Sequence, residues 1–135
     1  MTAEDLQQIL AENFAPWVQA LDLSVLSCAG ARTVLRMPIT PDLARVGGIV
    51  SGQALAALAD TAMVLGAIAQ AGQMIPLATT DLHTQFLRAG AGRAILCTAE
   101  VVKPGRALIF SRAEMADEES GKLVATATAS FFVAT

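Results

Sequence analysis

The sequence predicts an α+β fold in which one long central helix is wrapped by a curved antiparallel sheet. Three observations carry this reading. Residues 52–71 give the longest helical signal, and their apolar side chains surround the axis rather than forming one stripe. After Pro76 the apolar period changes to two. Short separators then cut the remainder into strand-length runs: Ala89-Gly90-Ala91-Gly92, Pro104-Gly105 and Glu118-Glu119-Ser120-Gly121. The order helix, two strands, long helix, four strands belongs to the α+β class.

The elements follow in order. Thr2-Ala3-Glu4-Asp5 reads as an N-cap with first-turn acids, so a helix is expected over 3–13, with Leu6, Ile9 and Leu10 on one face. Pro16 closes it. Residues 21–28 read as a strand, Gly30 as a turn, and 33–37 as a second strand ended by Pro38. A loop over 40–52 leads into the long helix, which stops near Gly72 and Pro76. Strands are expected over 77–88, 93–103, 106–116 and 122–133, and their hairpin-length turns argue for an antiparallel meander.

Composition narrows the class. The 135 residues, 14.0 kDa, fit one domain spanning 1–135. Hydrophobic residues make up 54% and aromatics only 4%, and alanine alone supplies a fifth of the chain. Disorder and a disulfide-rich miniprotein are both excluded. Such a small-residue core favours close backbone approach, or apolar surface turned toward another subunit.

Net charge is −3 with a pI near 5.0, which argues against a nucleic-acid partner. The N-terminus carries acids where a secretion signal carries bases, and no apolar run follows. Cys28 and Cys97 are far apart, and with one His they form no usual metal site. A reducing cytoplasm is expected. Residues 54–71 could mimic a membrane span, but a central Asp60 costs roughly 2.5–3.5 kcal/mol on insertion, so no membrane role is expected.

Four motifs carry a family resemblance. Val46-Gly47-Gly48-Ile49-Val50-Ser51-Gly52-Gln53-Ala54-Leu55-Ala56-Ala57-Leu58-Ala59-Asp60-Thr61-Ala62 resembles the helix-opening motif of hotdog-fold acyl-CoA thioesterases of the phenylacetate (PaaI-like) type. Thr79-Thr80-Asp81-Leu82-His83-Thr84-Gln85-Phe86-Leu87-Arg88, Val101-Val102-Lys103-Pro104-Gly105-Arg106 and Leu123-Val124-Ala125-Thr126-Ala127-Thr128 resemble later strands of that group, in the same order. Gly52 and Asp60 match strictly. Ser51 stands at the family's His, Gln53 at its second Gly, and Arg45 where some members carry Asn.

The resemblance implies a hotdog fold and hydrolysis of acyl-CoA thioesters. It needs no cofactor beyond the coenzyme A of the substrate. It also implies a homodimer or homotetramer with sites at the dimer boundary. Asp60 is then the catalytic carboxylate, as base on water or as nucleophile, and the Gly52 amide is the oxyanion donor.

The residues themselves support part of this. Asp60 is the one acid in an apolar helix, and a carboxylate there must be paired, hydrated or useful. Ser51 reads either as a plain N-cap or as a hydroxyl assisting the thioester. Gln53 could orient the thioester or a water. Thr79 matches a position where relatives carry a hydroxyl aiding the water, but strict alternation points it with Asp81 and His83, away from Leu82, Thr84 and Phe86. On that parity it reaches a site only at a subunit boundary. His83, the one His, reads as solvated. Arg88, Arg93, Lys103 and Arg106 lie at strand turns and could gather to hold coenzyme A phosphates, or form a solvated rim. A non-catalytic acyl-CoA or lipid-binding protein remains the alternative. A dehydratase is disfavoured, because Leu65 stands where its Asp-x-x-x-x-His pattern needs His.

Overall fold

A computed structural model describes residues 1–134. Helix α1 (Ala3–Asn13) starts in a capping box, in which the Thr2 hydroxyl and the Asp5 carboxylate each accept the other residue's backbone amide. Its buried side is Leu6 and Leu10. Pro16 does more than end α1: it opens a second short helix, α2 (Pro16–Gln19), at the first-turn position where a missing N–H costs nothing. The Gln19 amide turns back to donate to the Phe14 carbonyl (3.2 Å).

Strands β1 (Ser24–Ala29) and β2 (Arg32–Pro38) form a hairpin. The segment expected as loop holds a two-residue ribbon, β3 (Ala44–Arg45) with β4 (Ile49–Val50). Its reversal uses Gly47 and Gly48 at φ of 102° and 76°, values that side chains resist. Helix α3 (Gly52–Ala71) occupies the expected span and ends at Gly72. Strands β5 (Leu77–Phe86), β6 (Ala94–Pro104), β7 (Leu108–Asp117) and β8 (Leu123–Val133) follow.

The sheet is antiparallel in the order β1-β2-β6-β7-β8-β5. The expected four-strand meander is therefore corrected: β6, β7 and β8 form one, but β5 pairs with β8 at the far edge. The Gly-containing separator before β6 is not a hairpin turn. It crosses the ends of two strands, held by Leu87 donating to the Val124 carbonyl (2.8 Å) and Val50 to the Gly90 carbonyl (2.9 Å).

The core lies between α3 and one sheet face. Thr33, Leu35 and Met37 of β2 alternate inward, as do Ile109, Ala113 and Met115 of β7. From α3, Leu55, Leu58, Ala62, Met63 and Leu65 meet them. Small residues set the spacing. A Cβ placed on Gly66 would stand 3.6 Å from Thr33 Oγ1 and 3.8 Å from Ala99 Cβ, ordinary contact with no room to spare. Apolar side chains surround the α3 axis, which leads one to expect burial nearly all round, and this too is corrected. One sheet covers one side of a helix, so a stripe of Gln53, Ala56, Ala57, Asp60 and Val64 stays partly open.

Ser111 faces this core from β7, and its hydroxyl has no hydrogen-bond partner among the described residues. A buried unpaired hydroxyl costs about 1–3 kcal/mol. Ser111→Ala is therefore expected to raise stability by about 1 kcal/mol. Urea denaturation measures it, and an unchanged or lower midpoint would refute the assignment.

Candidate active site

Asp60 sits in the middle of α3 on its open stripe, above the start of β5. Its carboxylate accepts a hydrogen bond from the Thr79 hydroxyl at 3.0 Å. This contact depends on a departure from strict alternation. Thr79 pairs with Phe131, while Asp81 pairs with the next residue back, Ser130, so Thr80 is an extra, bulged residue. The Thr80 hydroxyl donates to the Ser130 carbonyl (2.9 Å). The bulge resets the side-chain parity: Thr79 and Leu82 both face the helix, and Asp81, His83 and Gln85 face away. The parity reading that sent Thr79 to the other face is corrected by this one inserted residue.

Partial burial raises the Asp60 pKa above the ordinary 3.8, and the Thr79 hydrogen bond opposes that rise without cancelling it. The native state thus holds the proton more tightly than the unfolded chain does. Stability associated with Asp60 is full in acid and falls as pH rises from the ordinary carboxylate value through the raised native one. The carboxylate opens into a cavity of about 260 Å³ lined by Phe14, Val64, Ile68 and Leu77 together with the polar Asn13 and Thr79.

The N-terminus of α3 forms a second locus. Ser51 is the N-cap, its hydroxyl accepting the Ala54 amide (3.2 Å) while its carbonyl accepts the Leu55 amide (3.2 Å). The Gly52 and Gln53 amides have no acceptor among the described residues, as expected for the first turn of a helix. A Cβ on Gly52 would lie 3.3 Å from the Phe86 ring, so glycine keeps this amide approachable. Gln53 is exposed and borders a groove shared with Trp17, Leu21 and Leu43.

The chain does not bring these two loci together. Gly52 and Asp60 are eight residues apart, about 12 Å along the helix axis. One thioester carbonyl cannot touch both, since an oxyanion donor must lie about 2.7–3.1 Å from its oxygen.

The four basic residues do not gather either. Arg88 and Arg93 lie at the end of the sheet near Gly52, and Lys103 and Arg106 at the opposite end, because eleven-residue β6 separates Arg93 from Lys103. Arg93 pairs with Glu119 at 3.4 Å. Arg88 instead lines a groove with Gly52 and Phe86, joined there by Arg45 from the β3–β4 ribbon. Arg45 drew attention in the sequence only as an exchanged position. Its charge at this groove depends on a two-residue ribbon too short to produce a periodic signal.

Comparison with known proteins places this geometry. Residues 38–132 match the family model described as acyl-CoA thioesterase N-terminal domain. Zebrafish thioesterase superfamily member 2 superposes with a TM-score of 0.87 at 26% identity, covering 99% of each chain. The TT0310 protein of Thermus thermophilus does so with a TM-score of 0.77 at 30% identity, over 90% of this chain and 99% of that one. The PaaI protein from the phenylacetic acid degradation operon of E. coli shares the fold, with a TM-score of 0.85 at 23% identity over 98% of this chain and 94% of that one. No match was found among curated proteins. A long helix on a six-stranded antiparallel sheet, with the family model matched from the last residue of β2 to the penultimate residue of β8, shows that the chain belongs to the acyl-CoA thioesterase family of hotdog-fold proteins, PaaI-like in architecture.

Proposed function

We propose that the protein hydrolyses acyl-CoA thioesters carrying short-chain or aryl acyl groups, with Asp60 and Thr79 on one side of the thioester and the Gly52 amide on the other. The observation that carries this reading is the Asp60 carboxylate, partly desolvated on an apolar helix, held by the Thr79 hydroxyl and open to a cavity. Asp60 takes a proton from water as the water oxygen attacks the carbonyl carbon, or attacks that carbon itself; both routes require the ionised carboxylate. The carbonyl oxygen gains negative charge, which an unpaired helix amide at Gly52 stabilises. The tetrahedral species collapses by breaking the carbon–sulfur bond, and the coenzyme A thiolate leaves; on the first route this frees the carboxylic acid and Asp60 returns its proton to the thiolate or to solvent, and on the second the acyl group stays on Asp60 as an anhydride, which water then hydrolyses to the free acid and the carboxylate.

Because about 12 Å separates the two groups within a chain, two copies must supply one site. The two sheet edges differ in a way that favours this. The β1 edge is occupied by the Gln7 side chain, which accepts from the Val25 amide (2.7 Å) and donates to the Leu23 carbonyl (3.0 Å). The outer edge of β5 has no such cover among the described residues and is a ready pairing surface. Antiparallel pairing of two β5 strands centred on His83, with Thr80 bulged out in each copy, sets Phe86 of one copy opposite Thr79 of the other. Phe86 touches Gly52 and Thr79 touches Asp60, so each Gly52 amide comes toward the other copy's carboxylate. A homodimer is then the catalytic unit, whether or not dimers pair again into a tetramer.

Asp60→Asn is expected to lower kcat by about 10²–10⁴-fold while leaving the fold at least as stable at pH 7, since it removes a charge that burial disfavours. Thiol release and thermal unfolding measure the two effects, and unchanged turnover would sink the mechanism. Binding without thiol release from any acyl-CoA would support the non-catalytic alternative.

Gly52→Pro deletes the proposed oxyanion donor at a helix position that tolerates proline, and Ser51, at ψ 150°, has the extended backbone a following proline requires. A loss of about 10²–10³-fold in kcat is expected. Mixing Gly52→Pro subunits with Asp60→Asn subunits should restore activity, because a mixed dimer holds one intact site. Failure of exchanged subunits to regain turnover would place both groups in the same copy.

The raised Asp60 pKa sets the acid limb of kcat/KM above the ordinary aspartate value, with activity rising as the group ionises. Thr79→Val removes a hydrogen bond that favours the ionised form, so the limb should move to higher pH, and Thr79→Ser should move it back. A limb that stays put in Thr79→Val would show that Thr79 does not act through Asp60.

A further inference from the structure

The outer face of β5 carries Asp81, His83 and Gln85, all exposed and turned away from α3. Backbone hydrogen bonds fix how these residues would meet a second copy. His83 pairs with Thr128 of β8, and Leu87, in the same alternation just past β5, donates to the Val124 carbonyl. His83 therefore turns its own amide and carbonyl toward β8, and Leu82, Thr84 and Phe86 turn theirs to the open edge. When two β5 strands pair about a twofold axis centred on His83, Leu82 and Thr84 supply the hydrogen bonds between copies. The two His83 residues then form a non-hydrogen-bonded pair, the closer kind, with Cα atoms about 4.5 Å apart. Among the described residues, no three His, Cys, Asp or Glu side chains of one chain gather to hold a metal. The chain has one His, but a twofold axis through it supplies two. We propose that the paired His83 imidazoles bind one divalent transition-metal ion of the zinc, nickel or copper class on the dimer axis, and that the ion clasps the two sheets together. The proposal rests on the shared-site dimer of the thioesterase reading, since the register of that dimer is what brings His83 to the axis.

Ligand chemistry and charge both argue for a cation there. Imidazole is the commonest protein ligand of these metals and binds zinc at about 2.0–2.1 Å. Two such bonds at a tetrahedral angle put the nitrogens about 3.3 Å apart. Side chains on directly opposed Cβ atoms, about 4.5–5.5 Å apart, reach that spacing. Neither Cys competes on this face: Cys97 is buried, and Cys28 lies on β1 at the far edge of the sheet. Asp81 stands two residues from His83 on the same face, about 6.8 Å along the strand. Its short side chain cannot bind the same ion directly, but it can accept a hydrogen bond from a water on that ion. Each copy supplies one Asp81, so two carboxylates offset the ion's two charges. In the same register each Asp81 lies opposite the partner's Gln85, whose amide can hold the carboxylate in place. Arg112, in the same row of the sheet, stands beyond Thr128 and is engaged by Glu100 at 2.6 Å. The ion would lie on the sheet face opposite Asp60 and take no part in hydrolysis.

Untagged full-length protein, stripped with a chelator and titrated with Zn²⁺ alone by calorimetry, tests the site separately from hydrolysis. One ion should bind per two chains. Saturating Zn²⁺ should lower the dimer dissociation constant about tenfold or more in sedimentation, because the ion binds the dimer and not the single chain. Cu²⁺ added to the Cys28→Ser variant should give an electron paramagnetic resonance spectrum with two equivalent nitrogen ligands. His83→Gln, at an exposed position, should abolish the Zn²⁺ binding and the added dimer strength. Its thiol release from acyl-CoA should stay unchanged at protein concentrations that keep the dimer together. Asp81→Asn should weaken Zn²⁺ about tenfold with the same stoichiometry. The site is overturned by one ion per chain, by binding that survives His83→Gln, or by an intact dimer that binds no Zn²⁺. The last of these leaves the hydrolytic reading standing. A strictly monomeric protein overturns the metal site and the shared active site together. One ion per dimer without thiol release from any acyl-CoA would uphold the metal site and reject hydrolysis.

Discussion

The height at which α3 rides on the sheet governs the rest of the molecule. Beneath the helix the sheet presents Ala99, Ala113, Ala127 and Ala129, and Gly66 of the helix leaves room for no more than one methyl group against Thr33 and Ala99. Larger side chains at these positions would lift the helix. The 3.0 Å bond between Asp60 and Thr79 bridges helix and sheet, so a rise of even one ångström would stretch it beyond a useful hydrogen bond. The alanine content that first appears as a bland composition is therefore what sets the geometry of the carboxylate.

That carboxylate receives little other help. Asp60 lies mid-helix, away from the terminal turns where the helix field favours charge. No salt bridge reaches it among the described residues; the ion pairs engage Arg32, Arg36, Arg93 and Arg112 elsewhere. Thr79 supplies its one side-chain hydrogen bond, and burial works against its charge. A carboxylate in this state is a stronger base than a solvated one. The price is stability at neutral pH, a cost expected of a functional group rather than of a core residue.

Much of this was legible in the sequence because its signals are periodic or local. The span of α3, the Thr2 cap and four late strands each follow from spacing and end residues. What escaped is non-local or breaks period. The placement of β5 beside β8 rests on a connection of hairpin length that does not make a hairpin, and nothing in Ala89-Gly90-Ala91-Gly92 distinguishes the two. The bulge at Thr80 adds one residue and reverses the faces before it, so a correct strand gave the wrong side for Thr79. The basic residues sit at strand ends, and the eleven residues of β6 alone are enough to hold Arg93 and Lys103 at opposite ends of the sheet. Asp60 was visible because one acid in an apolar helix is a local anomaly. The cavity beside it was not, since Phe14, Val64 and Met74 meet only in the folded chain.

A serine at position 51, where the family resemblance in the sequence leads one to expect histidine, bears on how few groups the proposed chemistry needs. Ser51 Oγ accepts the Ala54 amide, and the one His of the chain, His83, is on the face of β5 turned away from α3. No imidazole is therefore close to Asp60 within a chain to relay a proton. Thioester cleavage tolerates this. The leaving group is a thiolate, whose conjugate acid has a pKa of about 8.5 by analogy with cysteine, so its departure at neutral pH requires little protonation. In the proposed mechanism one carboxylate with a raised pKa and one unpaired amide are therefore enough for a thioester, and the proton that Asp60 takes from water is available to the departing sulfur.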